Sequence, residues 1–112
     1  MEEFSIFNKE KALQMIDEDA ELLKILIDTF LEIPFDKNHL QKLVQNKKDL
    51  EAASYVHAVK GAARQLAAEK LAHSGQELED ILRKKKDGDT NKLIELFTAD
   101  YNKTFETLKA SV

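Results

Sequence analysis

The amino-acid sequence predicts an all-α fold, an antiparallel up-down four-helix bundle with a short additional N-terminal helix. Three glycines and one proline in 112 residues leave little material for hairpins or Gly-rich phosphate loops. Apolar residues recur at three- and four-residue steps along nearly the whole chain. The polar interruptions between these stripes are short, and short connections make successive helices antiparallel neighbours. With 43% hydrophobic residues the chain can bury a core without staples, so residues 1–112 read as one domain.

The first helical pattern is brief. Ala12, Leu13 and Ile16 form its stripe after the apolar Phe4, Ile6 and Phe7, and Asn8 is its expected N-cap. Ile16-Asp17-Glu18-Asp19 interrupts it, and Asp17 or Asp19 can cap the next helix. Leu22, Leu23, Leu26, Phe30, Ile33, Leu40 and Val44 then continue one stripe. Pro34 lies inside it, yet Leu26, Ile33 and Leu40 keep a seven-residue spacing across it. That phase predicts one long helix, about Asp19 to Asn46, kinked at Pro34, ahead of two helices meeting there. After Lys47-Lys48-Asp49 a third helix buries Ala52, Val56, Val59, Ala63 and Leu66. A fourth, about Ala68 to Lys85, turns Leu71, Gly75, Leu78 and Leu82 inward, with Ser74 and Ile81 alongside. Lys84-Lys85-Lys86 suits its C-terminus, and Asp87-Gly88-Asp89 is a turn. The last helix carries Leu93, Phe97, Tyr101, Thr104 and Leu108, flanked by Ile94 and Phe105.

Composition excludes several kinds of chemistry. No cysteine means no disulfide framework, thiolate metal site or thiol nucleophile. A formal charge of −4 argues against nucleic acid as a partner. No apolar run reaches the roughly 18 residues of a membrane span. The acidic start Met1-Glu2-Glu3 lacks the layout of a signal peptide, so a cytoplasmic protein is expected.

Of the three histidines, His57 has the informative neighbourhood; His39 and His73 fall on the solvent sides of their stripes with no such cluster. At about 100° per residue, His57 lies about 140° from the centre of the third helix's apolar stripe. Lys60, Ala53, Arg64 and Gly61 fall between about 80° and 180°, on the same outward sector. Lys60 is one turn from His57 and can reach a common point with it. Glycine at position 61 weakens a helix by roughly 0.5–1 kcal/mol relative to alanine, which suits a place where something must approach the backbone closely. The only acid between Leu50 and Ala68 is Glu51, on another side of the helix. The patch is therefore expected to be cationic, favouring an unprotonated, nucleophilic ring and then neutralising a phosphoryl group placed on it. Without metal ligands or carboxylates beside the ring to activate water, that group would be stored and passed on.

At these residues the chain resembles the histidine-containing phosphotransfer (HPt) domain of two-component phosphorelays. The hallmark reads His57-Ala58-Val59-Lys60-Gly61-Ala62-Ala63, and Leu66, Ala68, Leu71, Leu78 and Glu79 align downstream without a gap. Asp19-Ala20-Glu21-Leu22-Leu23 and Phe30-Leu31-Glu32-Ile33-Pro34 match the opening of the family. Gln65, Ala67 and Arg64 depart from the residues common at their positions, an asparagine, a glycine and a small residue.

The resemblance implies that His57 is phosphoryl acceptor and donor, that Lys60 stabilises the phosphate, and that Gly61 clears space for a partner's loops. Ala53, Leu50 and Arg64 would border the docking surface, and Gln76, Glu79 and Arg83 on the following helix are candidates to flank the site. The expected partners are response-regulator receiver domains and a hybrid sensor histidine kinase. No cofactor is expected on this chain, and Mg²⁺ would belong to the receiver. With no nucleotide-binding loop the chain is expected to be a phosphocarrier rather than an enzyme, and a monomer. Met1 and the full helix set lead us to expect a stand-alone protein. Alternatives are a segment of a hybrid or chemotaxis-type kinase, phosphorylated by an ATP-binding kinase domain, and a non-catalytic helical adaptor.

Overall fold

A computed structural model describes residues 4–111; the acidic Met1-Glu2-Glu3 start lies outside them. The described residues form six helices: α1 (Lys9–Met15), α2 (Ala20–Leu31), α3 (Lys37–Gln45), α4 (Asp49–Gln65), α5 (Glu69–Leu82) and α6 (Thr90–Ala110). None of them is long and apolar enough to cross a membrane. The packing closes into a ring. α4 lies on α5, α5 on α6, and α6 on α2 and α3, which both return to α4. Phe30, Leu40, Val56, Val59, Leu66, Leu71, Leu78, Ile94, Phe97 and Leu108 fill the interior.

Local chemistry sets the helix starts. Asn8 accepts the Lys11 N–H (3.0 Å) at α1, Asp19 the Leu22 N–H (3.0 Å) at α2, and Asp89 the Lys92 N–H (3.1 Å) at α6. Each satisfies an orphan donor of a first turn, as a short acceptor side chain does at an N-cap. Asp17, the other candidate cap, instead closes α1 in the left-handed region (φ 55°) together with Glu18 (φ 62°).

The long kinked helix does not form. The helical run stops at Leu31 and restarts at Lys37, so Pro34 separates two helices. Proline has no N–H to give to the ladder and disfavours helical backbone before it. The structure seals the break with aromatic groups. Tyr55 accepts the Asp36 N–H (2.8 Å) and donates to the Pro34 carbonyl (3.1 Å), and Asp36 caps α3 by accepting the Asn38 N–H (2.9 Å). Phe35 inserts against Tyr55, Phe97 and Tyr101, with ring centroids 4.8–5.8 Å away. The apolar phase survives the break because α2 and α3 face the same core, not because one helix carries it through.

Three other helices end without glycine. Lys47, Ala67 and Lys84 take φ of 59°, 52° and 63° after α3, α4 and α5. In each case the next residue's N–H reaches back to the helix: Lys48 to Leu43, Ala68 to Ala63 and Lys85 to Asp80, at 2.8–2.9 Å. This is the Schellman closure, which glycine adopts without the Cβ penalty. Ala67→Gly should therefore raise stability, by about 1 kcal/mol, in a urea melt. No change or a loss would mean that the Ala67 methyl group, which is buried, contributes more by packing than it costs in strain.

Beyond Ala67 the N-terminal segment is tied down. Asn8 N–H donates to the Ala67 carbonyl (3.2 Å) and Lys70 N–H to the Ser5 carbonyl (2.9 Å). Phe4 stacks on His73 with centroids 4.4 Å apart.

Candidate functional site

α4 presents its apolar face to the bundle through Ala52, Val56, Val59 and Ala63, all buried. His57 leaves on the opposite side with 59% of its side chain exposed, as the helical wheel predicts. Gly61, one turn on, has open space where a Cβ would point, with no atom within 4 Å. Leu50 is strongly exposed at the start of α4. Arg64 is exposed, and its guanidinium donates to Gln76 Oε1 (3.1 Å).

Two wheel assignments are overturned. Ala53 is fully buried, and Lys60 is only 4% exposed. The apolar stripe marks part of the covered arc of α4, and α5 covers more. The reason is Gly75. A Cβ there would lie 3.1 Å from both Lys60 Cβ and Phe97 Cε1, so the bare glycine lets α5 press against the stem of Lys60. The lysine's aliphatic chain becomes part of the interface and only its ammonium reaches polar partners.

That approach also overturns the expected cationic surround without carboxylates. Glu79 of α5, with 8% of its side chain exposed, sits against the imidazole. His57 Nδ1 lies 3.1 Å and 3.2 Å from the two Glu79 oxygens. Lys60 Nζ is 2.7 Å from Glu79 Oε1, and Arg83 Nε donates to Glu79 Oε2 (2.8 Å). Lys60 also donates to Gln76 Oε1 (2.9 Å), and the Gln76 amide donates to Asp80 Oδ1 (2.7 Å). The common point that His57 and Lys60 reach is thus a carboxylate oxygen on the next helix.

Gln76, Glu79 and Arg83 all join the histidine's network, and Asp80 extends it beyond what the sequence suggested. The signal for Glu79 was present in its i,i+4 spacing to Arg83, which marks a shared face. Nothing in the spacing said that this face meets α4.

Electrostatically the hub is the carboxylate. Burial alone would raise the Glu79 pKa, but hydrogen bonds from Lys60, Arg83 and His57 outweigh it and bring it from 4.5 to about 2. Glu79 is therefore an anion down to strongly acid pH, and in the neutral ring a carboxylate facing Nδ1 selects the tautomer that carries its proton there. Nε2 is left as the nitrogen with a lone pair. Among the described residues no group of three His, Cys, Asp or Glu side chains is placed to hold a metal ion.

A family model for the Hpt domain matches residues 12–110. No curated protein matches the chain. No solved structure matches it. Hpt domains serve in histidine phosphotransfer, interacting with receiver domains of two-component systems as phosphocarriers without kinase activity of their own. With a match that runs from α1 to the end of α6, the chain belongs to the Hpt domain family.

Proposed function

We propose that His57 Nε2 takes a phosphoryl group from the aspartyl phosphate of one receiver domain and passes it to the aspartate of another. The reading rests above all on one observation, an exposed imidazole whose Nδ1 is engaged by a buried carboxylate. The Nε2 lone pair attacks phosphorus, an N–P bond forms, and the P–O bond to the receiver's aspartate breaks, releasing its carboxylate. The ring keeps its Nδ1 proton and becomes a phosphorylated imidazolium. Glu79 stabilises that cation as it develops, the role a carboxylate plays behind a catalytic histidine elsewhere. In the return step the same ring leaves as neutral imidazole.

Lys60 and Arg83 hold Glu79 in place and keep positive charge beside the phosphoryl group. Mg²⁺ is assigned to the receiver. Leu50, Gly61 and Arg64 give the docking surface an apolar edge, a cleared backbone and a cation. Ala53, being buried, supports that surface from beneath. The encounter is expected to be small and short-lived.

The test is to incubate the protein with a phosphorylated receiver and map the label by mass spectrometry on digests kept at neutral pH. A phosphoryl group on His57 alone is expected; label elsewhere, or none with any receiver, overturns the reading. Replacing the receiver by a kinase domain with ATP separates relay from direct phosphorylation.

Gly61 separates docking from stability. Gly61→Ala should stabilise α4 by about 0.5–1 kcal/mol, because the added methyl meets no neighbour. It should also slow transfer, because the methyl stands where a partner's loop must come close. Transfer at the wild-type rate in this variant would remove clearance as the reason for the glycine.

A further inference from the structure

Phe4 precedes the residues 12–110 matched by the Hpt family, yet it is held beside the phosphotransfer site. α5 starts without a side-chain cap, and the Ser5 carbonyl accepts its Lys70 N–H (2.9 Å) instead. With the Asn8 N–H on the Ala67 carbonyl (3.2 Å), the segment after Phe4 is anchored at two points. The Phe4 ring stacks on His73, with centroids 4.4 Å apart and planes 16° from parallel. Phe4 is still 39% exposed, so a preorganised aromatic ring offers surface to a partner.

Phe4 and His73 line one side of an open groove of about 270 Å³, and Arg64, Gln76, Glu69 and Ala72 complete it. Most of its polar groups are engaged. Glu69 is paired with Lys11 (2.9 Å), and His73 lies 3.7 Å from Glu77 under the Phe4 ring. Gln76 accepts from Lys60 and Arg64 and donates to Asp80. Arg64 gives one N–H to Gln76, and its other N–H groups have no partner among the described residues. The groove therefore offers an aromatic ring, the Ala72 methyl group and a guanidinium. Arg64 follows His57 by seven residues, two turns and about 10 Å along the same side of α4. Even a small signalling interface covers about 600 Å² of each partner, a patch reaching about 14 Å from its centre. A receiver centred on His57 thus reaches Arg64 and meets the groove at its rim.

We propose that this groove is a specificity-determining extension of the receiver-docking surface: Phe4 packs an apolar side chain of the receiver, and Arg64 pairs with a carboxylate next to it. The inference rests on His57 exchanging phosphoryl groups with a receiver. Since Phe4 lies outside the family match, it gives this chain a contact of its own for choosing among receivers that all fit the same histidine.

Transfer kinetics with the receiver that labels His57 fastest, and with a slower one, test the proposal. Phe4→Ala should raise KM for the preferred receiver about fivefold or more, with the loss in KM rather than kcat, and narrow the gap between the two receivers. Phe4→Tyr, which keeps the stacked ring, should restore KM. Arg64→Gln should also raise KM, and the double variant should lose less than the product of the single losses, because one occupant uses both groups. In ¹⁵N spectra the preferred receiver should shift amides 69–73 together with those around His57. Should Phe4→Ala fail to fold, Arg64→Gln and these shifts carry the decision. Wild-type KM in Phe4→Ala, a loss in kcat alone, or an equal loss with both receivers overturns the extension and leaves His57 as the acceptor. Shifts of these amides that follow the protein's own concentration, without receiver, give the groove to a second copy and overturn it too. No labelling of His57 by any receiver removes the underlying reading, and the extension with it.

Discussion

His57→Gln should abolish phosphoryl labelling while shifting stability by no more than about 0.5 kcal/mol. Both halves follow from where the ring sits. Its side chain is 59% exposed, and among the described residues its hydrogen-bond partner is Glu79, so little packing is lost with it. Glutamine has an amide that can donate to the same carboxylate, which keeps the network on α5 satisfied. It has no nitrogen lone pair able to attack phosphorus. Intact mass after incubation with a phosphorylated receiver, paired with a urea melt, reads the two effects separately. A labelled variant would move the acceptor away from His57, and a large loss of stability would show that the ring has a structural role.

Removing Glu79 should do the reverse and damage stability first. Glu79→Ala leaves the Lys60 ammonium buried with Gln76 as its remaining acceptor and is expected to cost about 3–5 kcal/mol. A buried pair replaced whole by apolar groups need not cost much, so Lys60→Met combined with Glu79→Leu should recover most of that loss. Transfer should not recover with it. The conservative Glu79→Gln removes the charge behind Nδ1 and forfeits about 1.5–3 kcal/mol of a charge-assisted hydrogen bond. That corresponds to about a ten- to hundredfold slower transfer. A double variant that regained both stability and rate would reduce Glu79 to a packing residue.

The same carboxylate predicts an acid response. Its folded-state pKa of about 2 lies below its ordinary 4.5, so its contribution is fully present above pH 4.5 and is lost as pH falls through about 2. The amount is on the order of 3 kcal/mol. Urea midpoints measured from pH 6 downward should fall more steeply in the wild type than in the Lys60→Met, Glu79→Leu variant. Parallel profiles would place the acid-sensitive group elsewhere.

Much of this protein is legible in one dimension because the rules involved are local. Apolar spacing named most of the inward residues of the last three helices, and Asn8 and Asp19, the latter one of two candidates, marked helix starts through side chains that bond their own first turns. His57 stood out for the same reason, since the angle between it and the stripe of its own helix depends on that helix alone. The break at Pro34 was misread because a seven-residue phase reports which way residues face, and two helices packed on one core keep that phase as well as one kinked helix does.

What the chain order could not supply is the rotation of one helix against another. Lys60 and Ala53 look outward on the α4 wheel and are buried, and for Lys60 the reason is the bare backbone of Gly75, which admits α5 to a depth that no property of α4 records. The sequence by itself determined the helical class and the exposed histidine. Only the tertiary structure decided that a buried glutamate from the next helix, held by a lysine and an arginine, would stand behind the ring. Periodicity within a helix follows from backbone geometry, whereas contact between helices depends on the shapes of both surfaces at once.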